Sequence, residues 1–349
     1  MVNWFLVFQA IPRLLLFTLP FLSLYVLSRR FSRYYPTRPY LFYAVIAFSA
    51  AGFVFLSVEL VLAVVSIQTV LFRSPLSDMN ALFFFVSGLS LYVLSSNMEK
   101  AISGDTDNFH DLSSFVTFML FLALFCFMIF SGLVQETSAD LAAIDAMKAA
   151  VGLSAFFLLA LSFLRMADIY KRLKVHYYYL LLLAAFLVGW QFFMVMQRWV
   201  SSVFDGLMIS GTPVRYALMT LHLREFNLSV TIATILLASL PSVPMLVSFR
   251  KEARIRYVGA YSSFINGMSS LIGGSAVTIL VNGLESYNRT YGTSITFDRE
   301  RNRIEGEMTD EVSEYLVSYF ENLIGPVARR VYAESIKGNR VLIRGEDKV

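Results

Sequence analysis

Two ionisable residues, Arg13 and Glu59, fall inside otherwise apolar runs and are the sharpest chemical feature of the chain. Arg13 stands about ten residues into the run that begins at Asn3, and Glu59 about twelve residues from the outer end of the next run, which travels the opposite way. At about 1.5 Å of rise per residue these positions are roughly 15 and 18 Å deep, so one side chain can reach the other. A charge at mid-bilayer costs a few kcal/mol, so each must face protein or water and take a partner. The spacing therefore predicts an intramembrane ion pair, Arg13 with Glu59. The competing reading makes Gln9 to Arg13 an interfacial helix start, with Pro12 at the opening and Arg13 snorkelling outward.

No other constellation assembles a reaction centre. His110, His176 and His222 lie far apart, Asp105 and Asp107 lack ligand company, and the patterns HExxH, GxSxG, GxxxxGK[ST] and CxxC do not occur. The single cysteine, Cys126, sits in FVTFMLFLALFCFMIF, which excludes an intrachain disulfide. No catalytic residue, cofactor or metal site is assigned.

The elements that must position Arg13 and Glu59 follow from composition. A chain that is 57% hydrophobic and 15% charged, with 32 Phe, carries more apolar residues than a soluble core of this size needs. We expect a mainly α-helical membrane protein with seven transmembrane helices. The runs are Asn3 to Leu27, Leu41 to Phe72, Ala81 to Ser96, Leu112 to Val134, Ala146 to Tyr170, Tyr177 to Val200 and Leu228 to Phe249. The first is uncleaved on this reading, because its positive charges follow the apolar stretch instead of preceding it. Tyr177, Tyr178, Tyr179 and Trp199 bracket the sixth as aromatic belts. The loop after it holds a segment, Pro213 to Phe226, with the spacing of a helix lying in the interface.

Orientation comes from the Lys and Arg beside the runs. With the loop after the first run cytoplasmic, thirteen such residues fall inside and five outside. The amino terminus is then outside and the carboxyl terminus inside, in a multi-pass protein of the cell membrane. Arg250, Lys251, Arg254 and Arg256 form a basic collar at the membrane surface. The net charge of +4 is thus spent on anionic headgroups, making lipid a partner and excluding nucleic acid.

Residues 1–250 form the transmembrane domain, and residues 251–349 a small cytoplasmic α+β domain with one β-hairpin. After the collar, Val258, Tyr261, Ile265, Met268, Ile272 and Ile279 repeat at three and four, the seam of packed helices. Pro241 and Pro244 kink the run upstream, so the helix 251–291 reads as a lever into the domain. An eighth span over Tyr257 to Val281 is the alternative. It would place the domain outside and make Asn288 a glycosylation acceptor. Further on, Thr293 to Phe297 and Arg303 to Glu307 read as the hairpin, and Thr309, Asp310 and Glu311 as a helix start. That helix ends at Gly325, and another opens at Pro326 and runs to Gly338.

These features point to a sensor, receptor-like protein or signalling adaptor that passes a conformational signal from the bundle to a cytoplasmic protein partner, or self-associates, through residues 257–337. The alternatives are a transporter or membrane-embedded enzyme working near Arg13 and Glu59, and a structural subunit of a membrane complex.

Overall fold

The structure, a computed structural model, describes residues 19–31, 73–103, 138–206, 230, 233–234, 236–250, 260–298 and 303–346. Arg13 and Glu59 lie outside the described residues, as do Cys126, Lys251, Arg254, Arg256 and Val258. The described elements are predominantly helical. In chain order they are α1 (19–31), α2 (Arg73–Ser103), α3 (Ser138–Arg172), α4 (Tyr179–Gly206), α5 (Ser242–Arg250), α6 (Ala260–Ile272), α7 (Ser275–Tyr291), β1 (Thr296–Asp298), β2 (Arg303–Glu305), α8 (Asp310–Ile324) and α9 (Val327–Glu346).

Among the described residues one stretch, Val151–Arg172 of α3, is long and apolar enough to cross a membrane; Tyr179–Met194 and Leu236–Phe249 are shorter apolar helices. α3 is central, packed along α2 on one side and α4 on the other. Its inward residues Phe163, Met166, Ala167 and Tyr170 are buried at helical spacing. Hydroxyls in these apolar helices are satisfied locally: Ser162 donates to the Leu158 carbonyl at 2.6 Å and Thr234 to the Val230 carbonyl at 2.8 Å.

α4 divides into two faces. Leu181, Ala184, Ala185, Val188 and Gln191 are buried, whereas Leu182, Leu183, Phe186, Trp190 and Phe193 face outward, Phe186 with 69% of its surface exposed. Leu236, Leu240, Val243 and Val247 form a similar outward stripe on the helical stretch leading into and through α5. Contiguous apolar surface of this kind is unfavourable in water and marks contact with lipid or protein. Residues 260–336 differ, since among the described residues there Tyr291 is the one large hydrophobic side chain left exposed.

The α3–α4 connection is tight. The Val175 amide donates to the Tyr170 carbonyl at 2.9 Å, and Lys174 occupies the left-handed position with φ +55°, where glycine is the usual residue. Tyr177 is left-handed as well, with φ +69°.

The carboxyl-terminal region is a helical unit carrying one hairpin. β1 and β2 pair antiparallel, with Phe297 opposite Ile304. Asn288 holds the approach to the hairpin: its Nδ2 donates to the Ile295 carbonyl at 2.7 Å, and its Oδ1 accepts from Thr293 Oγ1 at 2.7 Å and the Ile295 amide at 3.0 Å. These bonds give Asn288 a structural role at the entry to the hairpin. Thr309 caps α8 by accepting from the Val312 amide at 3.3 Å, as the sequence leads one to expect. α9 runs through Gly338 to Glu346, beyond its expected end, because one glycine costs a helix only about 1 kcal/mol.

α6 packs on α9, and α8 packs on both α7 and α9. Phe264 is the hub, edge-on to Phe320 at 5.4 Å and to Tyr332 at 5.6 Å between ring centres.

Candidate functional site

The expected continuous rod from the collar through residue 291 does not form. α6 ends at Ile272, Gly273 turns left-handed with φ +65°, and α7 begins at Ser275. The cause is the end of α5. The Gly274 amide donates to the Ser248 carbonyl at 2.9 Å, and the Ser275 amide donates to Ser248 Oγ at 3.1 Å. A β-carbon on Gly273 would collide with the Ser248 carbonyl, so only glycine allows this approach. One serine thus satisfies two amides at the start of α7 that the helix cannot bond internally.

Arg30, near the end of the described part of α1, closes the same junction. Its Nη1 donates to the Ser270 carbonyl at 2.7 Å, in the last turn of α6, and its Nη2 to the Phe249 carbonyl at 3.3 Å, at the end of α5. The guanidinium also lies 4.8 Å from the centre of the Phe249 ring. Carbonyls in the last turn of a helix have no partner within it and carry the negative end of its dipole, so a cation there is favoured. A single arginine serves two such ends. Close by, Ser23 of α1 and Tyr170 of α3 share a buried hydrogen bond of 2.6 Å between hydroxyls.

A third contact ties α2 to the carboxyl-terminal unit. Gly325, with φ +78° at the end of α8, abuts the backbone of Ile102 so closely that a β-carbon would overlap the Ile102 carbonyl. Higher on the α2–α3 pair, Arg165 Nε meets Glu99 Oε2 at 3.0 Å and its guanidinium covers the Tyr92 ring at 4.5 Å. Arg165 Nη1 is buried without a hydrogen-bond partner.

The junction therefore gathers Arg30 of α1 and the carboxyl ends of α2 and α5 against the carboxyl-terminal unit, with α3 tied to α1 and α2. Backbone carbonyls, serine hydroxyls, two glycines and one guanidinium make these contacts. Among the described residues no cluster of His, Cys, Asp or Glu could hold a metal ion.

The residues singled out from sequence fall unevenly on this site. Arg250 ends α5, and its neighbours in the collar lie outside the described residues. Tyr261, Ile265, Met268 and Ile272 are buried along α6 and Ile279 along α7, so the seam is split between two helices. The Tyr261 hydroxyl is buried without a hydrogen-bond partner, and burial, reinforced by nearby Tyr332, pushes its pKa well above the usual phenol value. Arg30 and Ser248 were not recognisable as site residues from sequence. Arg30 stood among several arginines read as topological charge, and the carbonyls it finds are remote in the chain. The signal for Gly273 and Gly325 was there, as glycines at breaks in helical patterns.

Comparisons with protein-family profiles, with curated proteins and with solved structures find no match.

Proposed function

We propose that this is a seven-span membrane protein, amino terminus outside and carboxyl terminus inside, whose cytoplasmic module relays the arrangement of the bundle to a partner protein. The observation that carries this reading is the junction. Helices α1, α2 and α5 correspond to the first, third and seventh expected spans, and their carboxyl ends meet the same module. Spans of odd number all finish on one side in a seven-span chain, so this gathering supports the topology. The outward apolar stripes on α4 and on the stretch through α5 support a lipid environment for the bundle. The contacts at the junction involve backbone carbonyls and glycines, so a shift of α1 or α5 by one or two ångströms must move α6 and α7 or break their end contacts.

The test has two arms. With Cys126 replaced by Ser, a cysteine at Arg303, an exposed hairpin residue, should resist a membrane-impermeant thiol reagent in intact cells and react after permeabilisation. Labelling of intact cells would reverse the topology. Crosslinking in cells should then capture a protein through residues 257–337, and Arg30→Gln should change the yield of that adduct. An adduct unaffected by loosening the junction would remove the relay.

A further inference from the structure

The geometry points to the α3–α4 tip as a docking surface for acidic phospholipid headgroups, an inference that rests on the bundle lying in a membrane. Lys171 and Lys174 project from the tip, both exposed, and neither has an acidic partner among the described residues. Arg172 is committed to Asp168, at 2.8 Å. Tyr177 and Tyr179 follow, both more than half exposed, with ring centres 6.2 Å apart. One turn further, about 5 Å along the axis, Leu182 and Leu183 open the outward apolar stripe, and Phe186 lies about 10 Å along.

Cations, then phenols, then aliphatic and aromatic hydrocarbon in that order reproduce the polarity gradient of one leaflet, from phosphate to acyl chain. This ordering selects lipid over a soluble anion. A free phosphate or an acidic protein would use the two lysines and leave the stripe uncovered, whereas one lipid satisfies both. The left-handed backbone at Lys174 and Tyr177 fixes the tip, so the two ammonium groups leave it from a preset turn.

The experiment uses the full chain in nanodiscs with Trp4→Phe and Trp199→Phe, which leaves Trp190 as reporter. Trp190 faces outward on the stripe, about 16 Å along α4 from Tyr179, within reach of bromines midway down an acyl chain. Dibrominated phosphatidylglycerol at one part in ten of phosphatidylcholine should quench Trp190 at least about twofold more than dibrominated phosphatidylcholine at the same fraction. The preference should vanish at about 0.5 M salt, and in Lys171→Gln with Lys174→Gln, and survive Lys171→Arg with Lys174→Arg. The salt arm needs no lysine substitution. Equal quenching by the two lipids at low salt overturns the docking surface while leaving the membrane reading intact. Loss of the preference on adding about 10 mM inorganic phosphate at constant ionic strength also overturns it, in favour of a soluble-anion site. If neither lipid quenches Trp190, the membrane placement of α4 fails and the inference fails with it.

Discussion

Gly325 lies so close to Ile102 that the backbone of α2 occupies the space a side chain at residue 325 would need. The end of α2 and the turn between α8 and α9 are therefore in backbone contact, and no rotamer change can relieve an added carbon. Gly325→Ala should cost more than about 3 kcal/mol, combining the left-handed strain with the collision. Thermal unfolding in detergent would register this as a large loss of melting temperature, with new protease cleavage between residues 260 and 340. An unchanged melt would mean that α2 does not dock there.

Arg30→Gln should destabilise the junction by about 1.5–3 kcal/mol, the range for losing charge-assisted hydrogen bonds to carbonyls that find no substitute. Arg30→Lys should recover less than half, because a single ammonium group cannot fork between the Ser270 and Phe249 carbonyls. Hydrogen exchange reads this locally. Amides of α6 and α7 should exchange faster in both variants, and equal protection across the series would show the arginine to be idle.

The buried Tyr261 hydroxyl gives a pH dependence of known sign. Its folded pKa is raised above the unfolded value by burial, so the folded state holds the proton more tightly. Its contribution is constant below about pH 10, the unfolded phenol value, and is lost as pH climbs toward the folded pKa. Tyr261→Phe should leave stability at pH 7 unchanged or raise it by about 1 kcal/mol, since the hydroxyl has no partner to lose. Denaturant midpoints at pH 7 and at about pH 10.5 should then differ less in the variant than in the parent. The same slope in both proteins would assign the alkaline loss elsewhere.

Phe186→Arg discriminates between lipid and water outside α4. In a bilayer the substitution should cost about 2–3 kcal/mol and lower the membrane-integrated yield severalfold, whereas Phe186→Leu should be silent. In water an exposed Phe replaced by Arg would be neutral or improve solubility. A fractionation assay that finds the Arg variant integrated at parental level would exclude a lipid-facing α4.

Local signals carried well from sequence to structure. Thr309 before two acidic residues, the alternation around Phe297 and Ile304, and the three-and-four repeat from Tyr261 to Ile272 depend on neighbours within a few residues, where propensity and periodicity operate. The close approach at Gly273 interrupts the helix 251–291 that was expected to be continuous. The sequence around it is helical on both sides, and what interrupts the helix is a serine 25 residues upstream, Ser248, that offers its carbonyl and hydroxyl. Arg165 also finds its partner on another helix, Glu99 of α2, while Asp168 binds Arg172. Both features depend on partners supplied by another helix, which periodicity cannot name. The pair that anchored the chemical reading, Arg13 and Glu59, lies outside the described residues.

The Arg30 contact also has a history written into it. Its acceptor on α6 is 240 residues further along the chain, so at about 5–20 residues per second the ribosome releases the Ser270 carbonyl roughly 12–48 seconds after the arginine. Closure of the clamp therefore waits for synthesis past Ser270, and a product truncated before that residue carries an open one.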